Sequence, residues 1–130
     1  MLLEGKSAVI YGAGGSIGGA VARAFAREGA TVFLAGRTRA RLEELASEIR
    51  SAGGVAEIAQ VDALDERAVD EHADAVAAHA GGIDISFSLI SHGDVQGTPL
   101  ADMALEDFER PVVTAVTATA LNITCGAEVD

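Results

Sequence analysis

The sequence predicts an α/β fold, a three-layer doubly wound parallel sheet with strand order 3-2-1-4, on three observations. Short apolar runs alternate with segments of helical period. The connections between them are short. Aromatic residues make up only 4 % of the chain while 15 residues are glycine, a composition suited to helices lying close on a parallel sheet.

The elements follow in order. Ser7-Ala8-Val9-Ile10-Tyr11 is an apolar run halted by glycine, as expected of a strand buried on both faces. Ile17, Val21, Ala24 and Phe25 then recur at helical spacing, with Gly29 placed as the glycine that stops the helix. Thr31 to Ala35 reads as the second strand. Thr38 stands where it can cap a second helix, with Leu42, Leu45 and Ile49 as its apolar stripe and Arg39, Arg41, Glu43, Glu44 and Glu48 as its wet face. Gly53-Gly54 ends it. Val55 to Val61 alternates as a third strand, Asp65 to about Ala80 reads as a third helix, and Ile83 to about Ile90 as a fourth strand. Asp102 to Cys125 reads as a further helix whose Pro111 and β-branched residues predict a kink or a frayed end.

Right-handed crossovers put the topological switch point between strands one and four. Ligands in such sheets bind beyond the carboxyl ends of the strands at that point, where the turn after Tyr11 and the Ser88 to Gly93 segment meet.

Bulk properties limit the function. With 130 residues and 49 % hydrophobic content the chain reads as one domain, residues 1–130. Twenty acidic residues against nine basic ones give a net charge of −11, which disfavours nucleic acid and anionic membranes as partners. Neither a basic-apolar leader nor a run of 18 apolar residues is present, so a cytoplasmic location is expected. The single cysteine, Cys125, reads as a small apolar residue, and no residue pattern calls for a metal.

The chemistry concentrates in Gly12-Ala13-Gly14-Gly15-Ser16-Ile17-Gly18, set between a strand and a helix. Glycines there allow positive φ and close backbone approach. The free N–H groups around Ser16, Ile17 and Gly18, with the positive end of the helix dipole, suit the pyrophosphate of a dinucleotide. A triphosphate-binding loop would need Lys-Ser/Thr at the helix entrance; Gly19-Ala20 stands there, and the only lysine is Lys6. After strand two comes Gly36-Arg37-Thr38, with no Asp or Glu from Gly29 through Leu42, which favours the 2′-phosphate of NADP over the ribose hydroxyl of NAD. Asp62, with Ala63 beside it, is placed to accept from an adenine amino group, a turn-forming carboxylate being the other reading. Ser88 closes the expected cofactor set. His92 reads as an ordinary loop histidine, and His72 and His79 as residues of a solvated helix face.

Leu3-Glu4-Gly5-Lys6, the glycine loop, Gly36-Arg37-Thr38 and Val61-Asp62 together resemble the short-chain dehydrogenase/reductase family. Gly97-Thr98-Pro99-Leu100 followed by Leu105-Glu106-Asp107-Phe108 is similar to that family's passage into its interface helix. The resemblance implies a Rossmann-like fold and an NADP(H)-dependent oxidoreductase acting on a small carbonyl or alcohol. It also implies a homo-oligomer formed through residues 102–125.

The sequence departs from the family at several places. Tyr11 and Ser16 replace the threonine and middle glycine of Thr-Gly-x-x-x-Gly-x-Gly; Ser88-Leu89-Ile90-Ser91 stands for Asn-Asn-Ala-Gly; and the interface-helix asparagine aligns near Ala115. The catalytic Tyr-x-x-x-Lys is absent, since the only tyrosine is Tyr11 and the only lysine precedes it, so no catalytic residue is expected here. The expectation is the cofactor-binding front of a longer reductase. A noncatalytic dinucleotide-binding or interaction module, or a fragment without function, are the alternatives.

Overall fold

A computed structural model of the chain describes residues 1–89, 97–114 and 116–117. Strands and helices alternate: β1 (Ser7–Tyr11), α1 (Ser16–Arg27), β2 (Thr31–Gly36), α2 (Arg39–Ser51), β3 (Val55–Gln60), α3 (Glu66–Ala80) and β4 (Ile85–Ser88). A 3₁₀ turn at Leu100–Asp102 and helical residues 105–114 follow. The four strands form one parallel sheet in the order β3-β2-β1-β4, as the sequence predicts.

The alternation of side chains along each strand sorts the core into two layers. Ala8 and Ile10 of β1 and Val32 and Leu34 of β2 face α1 and α2, packing with Ala22, Leu42, Leu45, Ala46 and Ile49. Val9, Tyr11, Phe33 and Ala35 face the other way, onto Val69, Ala73 and Val76 of α3. Because β1 and β2 lie in the centre, both their faces are covered and all five residues of β1 are buried. β3 is an edge, and its Val55, Glu57 and Gln60 are exposed.

Local chemistry sets the boundaries. Gly29 (φ 95°) and Gly81 (φ 83°) take the left-handed turns that end α1 and α3. Asp65 caps α3, its Oδ1 accepting from the Ala68 N–H at 3.2 Å. Thr38 stands at the cap position of α2, but its side chain makes no capping hydrogen bond. β4 is shorter than the apolar run suggests, because Ile83 leaves the ladder to pack into the α3 layer. Asp102 belongs to the 3₁₀ turn, its N–H donating to the Pro99 carbonyl at 2.9 Å, and the helix over residues 105–114 runs on through Pro111. The expected helical stretch from 118 to Cys125 and the His92 loop lie outside the described residues.

His72 departs from its expected solvated position. It stands one turn from Val69 and Val76 on the inner stripe of α3, half-buried, with its ring edge-on to Tyr11 at a centroid distance of 6.1 Å. Its Nδ1 is buried without a hydrogen-bond partner among the described residues. Burial therefore holds its pKa below the ordinary value of 6.5. His79, at the exposed end of the same helix, meets Phe33 edge-on at 6.0 Å.

β4 is clamped to β1 at its start. The Ser7 N–H donates to Asp84 Oδ2 at 2.9 Å, and the Asp84 N–H donates back to the Ser7 carbonyl at 2.9 Å. This reciprocal pair fixes the register in which Tyr11 lies beside Ser88. Replacing Asp84 by Ala should lower the stability by about 1–2 kcal/mol, seen as a lower urea midpoint at unchanged slope.

His72 gives the fold a pH dependence whose sign follows from its depressed pKa. As pH falls through 6.5 the unfolded chain takes up a proton that the folded chain refuses, so stability is full above that value and is lost below it. Denaturant titrations from about pH 7.5 to about pH 5 should show this loss in the parent chain and a shallower one in His72→Phe.

Candidate functional site

The turn after β1 is shaped by two close approaches. Gly12 takes φ 79°, and the N–H groups of Gly12 and Ala13 both donate to the Ala35 carbonyl, at 3.0 and 3.2 Å, tying the turn to the end of β2. The Gly15 N–H then donates to the Gly12 carbonyl at 3.2 Å, which folds the chain back before α1 begins. The first turn of α1 lies so near this loop that a Cβ built on Gly18 would stand 2.3 Å from the Gly12 carbonyl oxygen. Only glycine fits there.

The helix opened by this turn carries no cap. Gly15 offers no side chain, no acidic residue stands in the first turn, and the N–H groups of Ser16, Ile17 and Gly18 find no backbone acceptor outside the helix among the described residues. Three first-turn donors and the positive end of a 12-residue helix thus face the same way without an internal partner. Such an end favours a negative oxygen.

Beside it opens a cleft of about 470 Å³ at the carboxyl ends of β1, β2 and β3, on the switch-point side of the sheet. Of the residues the sequence singles out, Gly12, Gly14, Gly15, Arg37, Thr38, Asp62 and Ala63 line it. Ser16 lines a smaller groove of about 330 Å³ on the α1–α2 side of the loop. Ile17, Gly18 and Ser88 line neither; Ile17 is 62 % exposed, Gly18 is buried, and Ser88 ends β4 one residue short of the wall that Leu89 supplies. Leu89 is held there by its N–H donating to the Tyr11 carbonyl at 3.0 Å.

The far wall comes from the segment after β3. Asp62 Oδ1 accepts from the Leu64 N–H at 3.0 Å, so one of its two oxygens organises the turn. The Gln60 side chain donates to the Arg37 carbonyl at 2.9 Å and braces the opposite lip. Tyr11, through which His72 packs against the site, also lines the cleft.

The cations of the chain divide into two sets. Arg23, Arg39, Arg50, Arg67 and Arg110 each lie within 4.0 Å of a carboxylate, whereas Lys6, Arg27, Arg37 and Arg41 have no such partner among the described residues, the last two flanking the start of α2. Arg37 and Arg41 are both exposed and both line the cleft. Reading Arg41 as part of a wet helix face missed this position; Arg37 precedes the helix, so no helical spacing links the two, and Arg41 borders the cleft because its stem packs over Gly14. Arg110 and Thr114, also four apart, line the cleft from the helix over residues 105–114. Among the described residues no group of three or more His, Cys, Asp or Glu side chains is arranged to hold a metal, and no helix is long and apolar enough to cross a membrane.

Comparison with known proteins agrees with this architecture. The chain is 36 % identical over 119 residues to an uncharacterised oxidoreductase, YxbG, of Bacillus subtilis, covering 92 % of this chain and 43 % of that protein. A metagenomic short-chain oxidoreductase solved with NADP superposes with a TM-score of 0.86 at 29 % identity, over 99 % of this chain and 58 % of its own. NAD⁺-bound xylitol dehydrogenase superposes with a TM-score of 0.90 at 29 % identity, over 99 % and 49 %. The chain thus spans about half the length of the relatives it matches. The family model for short chain dehydrogenases matches residues 6–126, and the chain belongs to that oxidoreductase family.

Proposed function

We propose that this chain binds NADP(H) in the cleft and forms the cofactor-binding part of a cytoplasmic oxidoreductase of the short-chain type. The observation that carries this reading is the uncapped first turn of α1 opening beside Arg37, with no acidic side chain on the β2–α2 turn. When bound, the cofactor supplies hydride exchange with a small carbonyl or alcohol.

Each candidate residue then has a physical task. The N–H groups of Ser16, Ile17 and Gly18 receive pyrophosphate oxygens, with Gly12, Gly14 and Gly15 leaving room for the backbone to approach. Arg37 and Thr38 take the ribose 2′-phosphate, where an acidic residue would instead accept from the 2′-hydroxyl of NAD. The second oxygen of Asp62 accepts from the adenine amino group while Ala63 and Leu64 flank the ring. Ile17 covers the apolar face of the nicotinamide, and Ser88 and Leu89 close the site from β4. Family members solved with NADP and with NAD⁺ support a dinucleotide here, and the Arg37 position supports NADP.

A noncatalytic module is the second reading. It is favoured by exposed Leu105, Phe108, Val112, Val113 and Val116 on the last described helix, an apolar face suited to self-association. Both readings share the dinucleotide; hydride transfer separates them.

Titration calorimetry of the chain should show NADP⁺ bound about tenfold more tightly than NAD⁺, and Arg37→Ala should remove most of that preference. Equal affinities in the parent chain would overturn the assignment. Gly18→Ala should abolish binding of both dinucleotides and lower stability by about 1–3 kcal/mol, because the loop or the helix must shift to admit the methyl group.

A further inference from the structure

Tyr11 stands where related sequences carry a threonine, and it joins the cleft to a titratable group. Its ring is buried and lines the cleft, its carbonyl accepts from the Leu89 N–H at 3.0 Å, and the next residue is Gly12 of the glycine turn. On the helix side the ring meets His72 edge-on at 6.1 Å. His72 Nδ1 is buried without a hydrogen-bond partner. A neutral imidazole can leave that nitrogen unprotonated, whereas the cation must carry a proton on both nitrogens. A buried charged N–H without an acceptor is costly, so the protonated ring is stable only when turned out to water, away from Tyr11.

No nearby charge offsets that cost. The positions one turn from His72 on α3 are Ala68, Val69, Ala75 and Val76, while Asp70, Glu71 and Asp74 lie one or two positions away and point elsewhere. The sheet brings Val9, Tyr11, Phe33 and Ala35 onto α3, and register places Ser86 and Ser88 of β4 beside Val9 and Tyr11. The titratable groups on these elements, besides Tyr11, are engaged or distant. Asp62 holds the Leu64 N–H, Asp84 holds the Ser7 N–H at the far end of β1, Glu57 is exposed within 3.9 Å of Arg50, and His79 lies two turns along the helix on Phe33.

We infer that His72 is a positioning residue that makes dinucleotide binding pH-dependent, its neutral ring holding Tyr11 in the floor of the cleft. This rests on the reading of the cleft as a dinucleotide site. A ligand lying on that floor keeps Tyr11 in place and so opposes protonation of His72 beyond the opposition that burial already supplies. Binding below pH 6.5 then expels a proton, so affinity is full above that value and declines below it. A direct charge effect would have the opposite sign, since an imidazolium beside the cleft attracts an anionic ligand.

The test is calorimetric titration of the full chain with NAD⁺, which lacks the 2′-phosphate whose own protonation near pH 6 would add a slope. Parent and His72→Phe are compared at about pH 7.5 and about pH 5.5, in buffers of differing ionisation enthalpy, with circular dichroism checking the fold at each. The parent should lose about threefold to fivefold in affinity at the lower pH and release protons on binding, whereas His72→Phe should do neither. NMR titration of the parent's own His72 ring needs no variant and should give a lower midpoint with saturating NAD⁺ than without. Equal midpoints, an affinity in the parent that holds or rises at low pH, or an equal decline in a folded His72→Phe would overturn the inference and leave the dinucleotide reading standing. If the parent binds neither NAD⁺ nor NADP⁺ at the higher pH, both fall together.

Discussion

The contact on which the site depends is the approach of Gly18 to the Gly12 carbonyl, where a single added carbon would stand 2.3 Å from the oxygen. A helix whose first turn touches the preceding turn so closely cannot rotate or slide without losing that seat. The consequence is directional: the uncapped N–H groups of Ser16 to Gly18 point out of the sheet's carboxyl edge rather than into the core. The same turn hangs on the Ala35 carbonyl through two N–H groups, so the end of β2 moves with it. Arg37 follows Ala35 by two residues. Thus the donors at α1 and the cations at the β2–α2 turn hold a fixed spacing because one carbonyl and one missing side chain fix it, and a rigid ligand with two anionic ends can be measured against that spacing.

Charge has to be understood locally in so acidic a molecule. A net charge of −11 would repel a dinucleotide at long range, but salt screens exposed charges beyond roughly 8 Å, so the groups lining the cleft decide. Those are Arg37, Arg41 and Arg110 against the single carboxylate of Asp62. Arg110 is held by Asp107 at 2.9 Å, and Asp62 already accepts one backbone hydrogen bond. The surface pairs elsewhere, such as Arg23–Glu48 and Arg67–Glu71, contribute little to stability in water. Their effect on function is distribution: five arginines are occupied, and of the three without carboxylate partners among the described residues Arg37 and Arg41 stand together at one lip. The cleft therefore presents positive charge at its β2 end and an acceptor at its β3 end, which matches a molecule with a phosphate at one place and an amino group at another.

Much of this was legible in the sequence because the signals were periodic and long. Strand order, the three helices between the strands and the glycine turn all follow from apolar runs of five or six residues and stripes three and four apart. What was not legible depended on tertiary neighbours. His72 has the composition of a wet helix position, yet its angle places it beside Val69 and Val76, and only the location of Tyr11 reveals that its ring is covered. Arg41 reads as solvated by the same rule; it becomes a cleft residue because Gly14, distant in sequence, leaves a space beneath it. Thr38 has the right identity and position for a cap but makes no capping bond, since composition specifies a propensity and not a rotamer. At β4 the apolar run overestimates the strand, because Ile83 is apolar for packing and not for pairing.

The placement of Tyr11 and Lys6 bears on the chemistry these residues can perform. A tyrosine that exchanges a proton with a carbonyl oxygen needs a cation close enough to lower its pKa, within about 4–6 Å. Tyr11 and Lys6 stand at opposite ends of β1, five residues apart along an extended chain, which at about 3.3 Å per residue separates their Cα atoms by roughly 16 Å. Successive side chains also alternate across the sheet, so odd spacing sends the two to opposite faces. Tyr11 is moreover buried against α3, with His72 edge-on to its ring. It serves as part of the floor of the cleft, holding the end of β1 where Leu89 and Gly12 meet it. The described residues thus divide into donors, cations and apolar walls, the parts on which the proposed dinucleotide site draws, and proton exchange of the family's kind would have to come from groups other than these two.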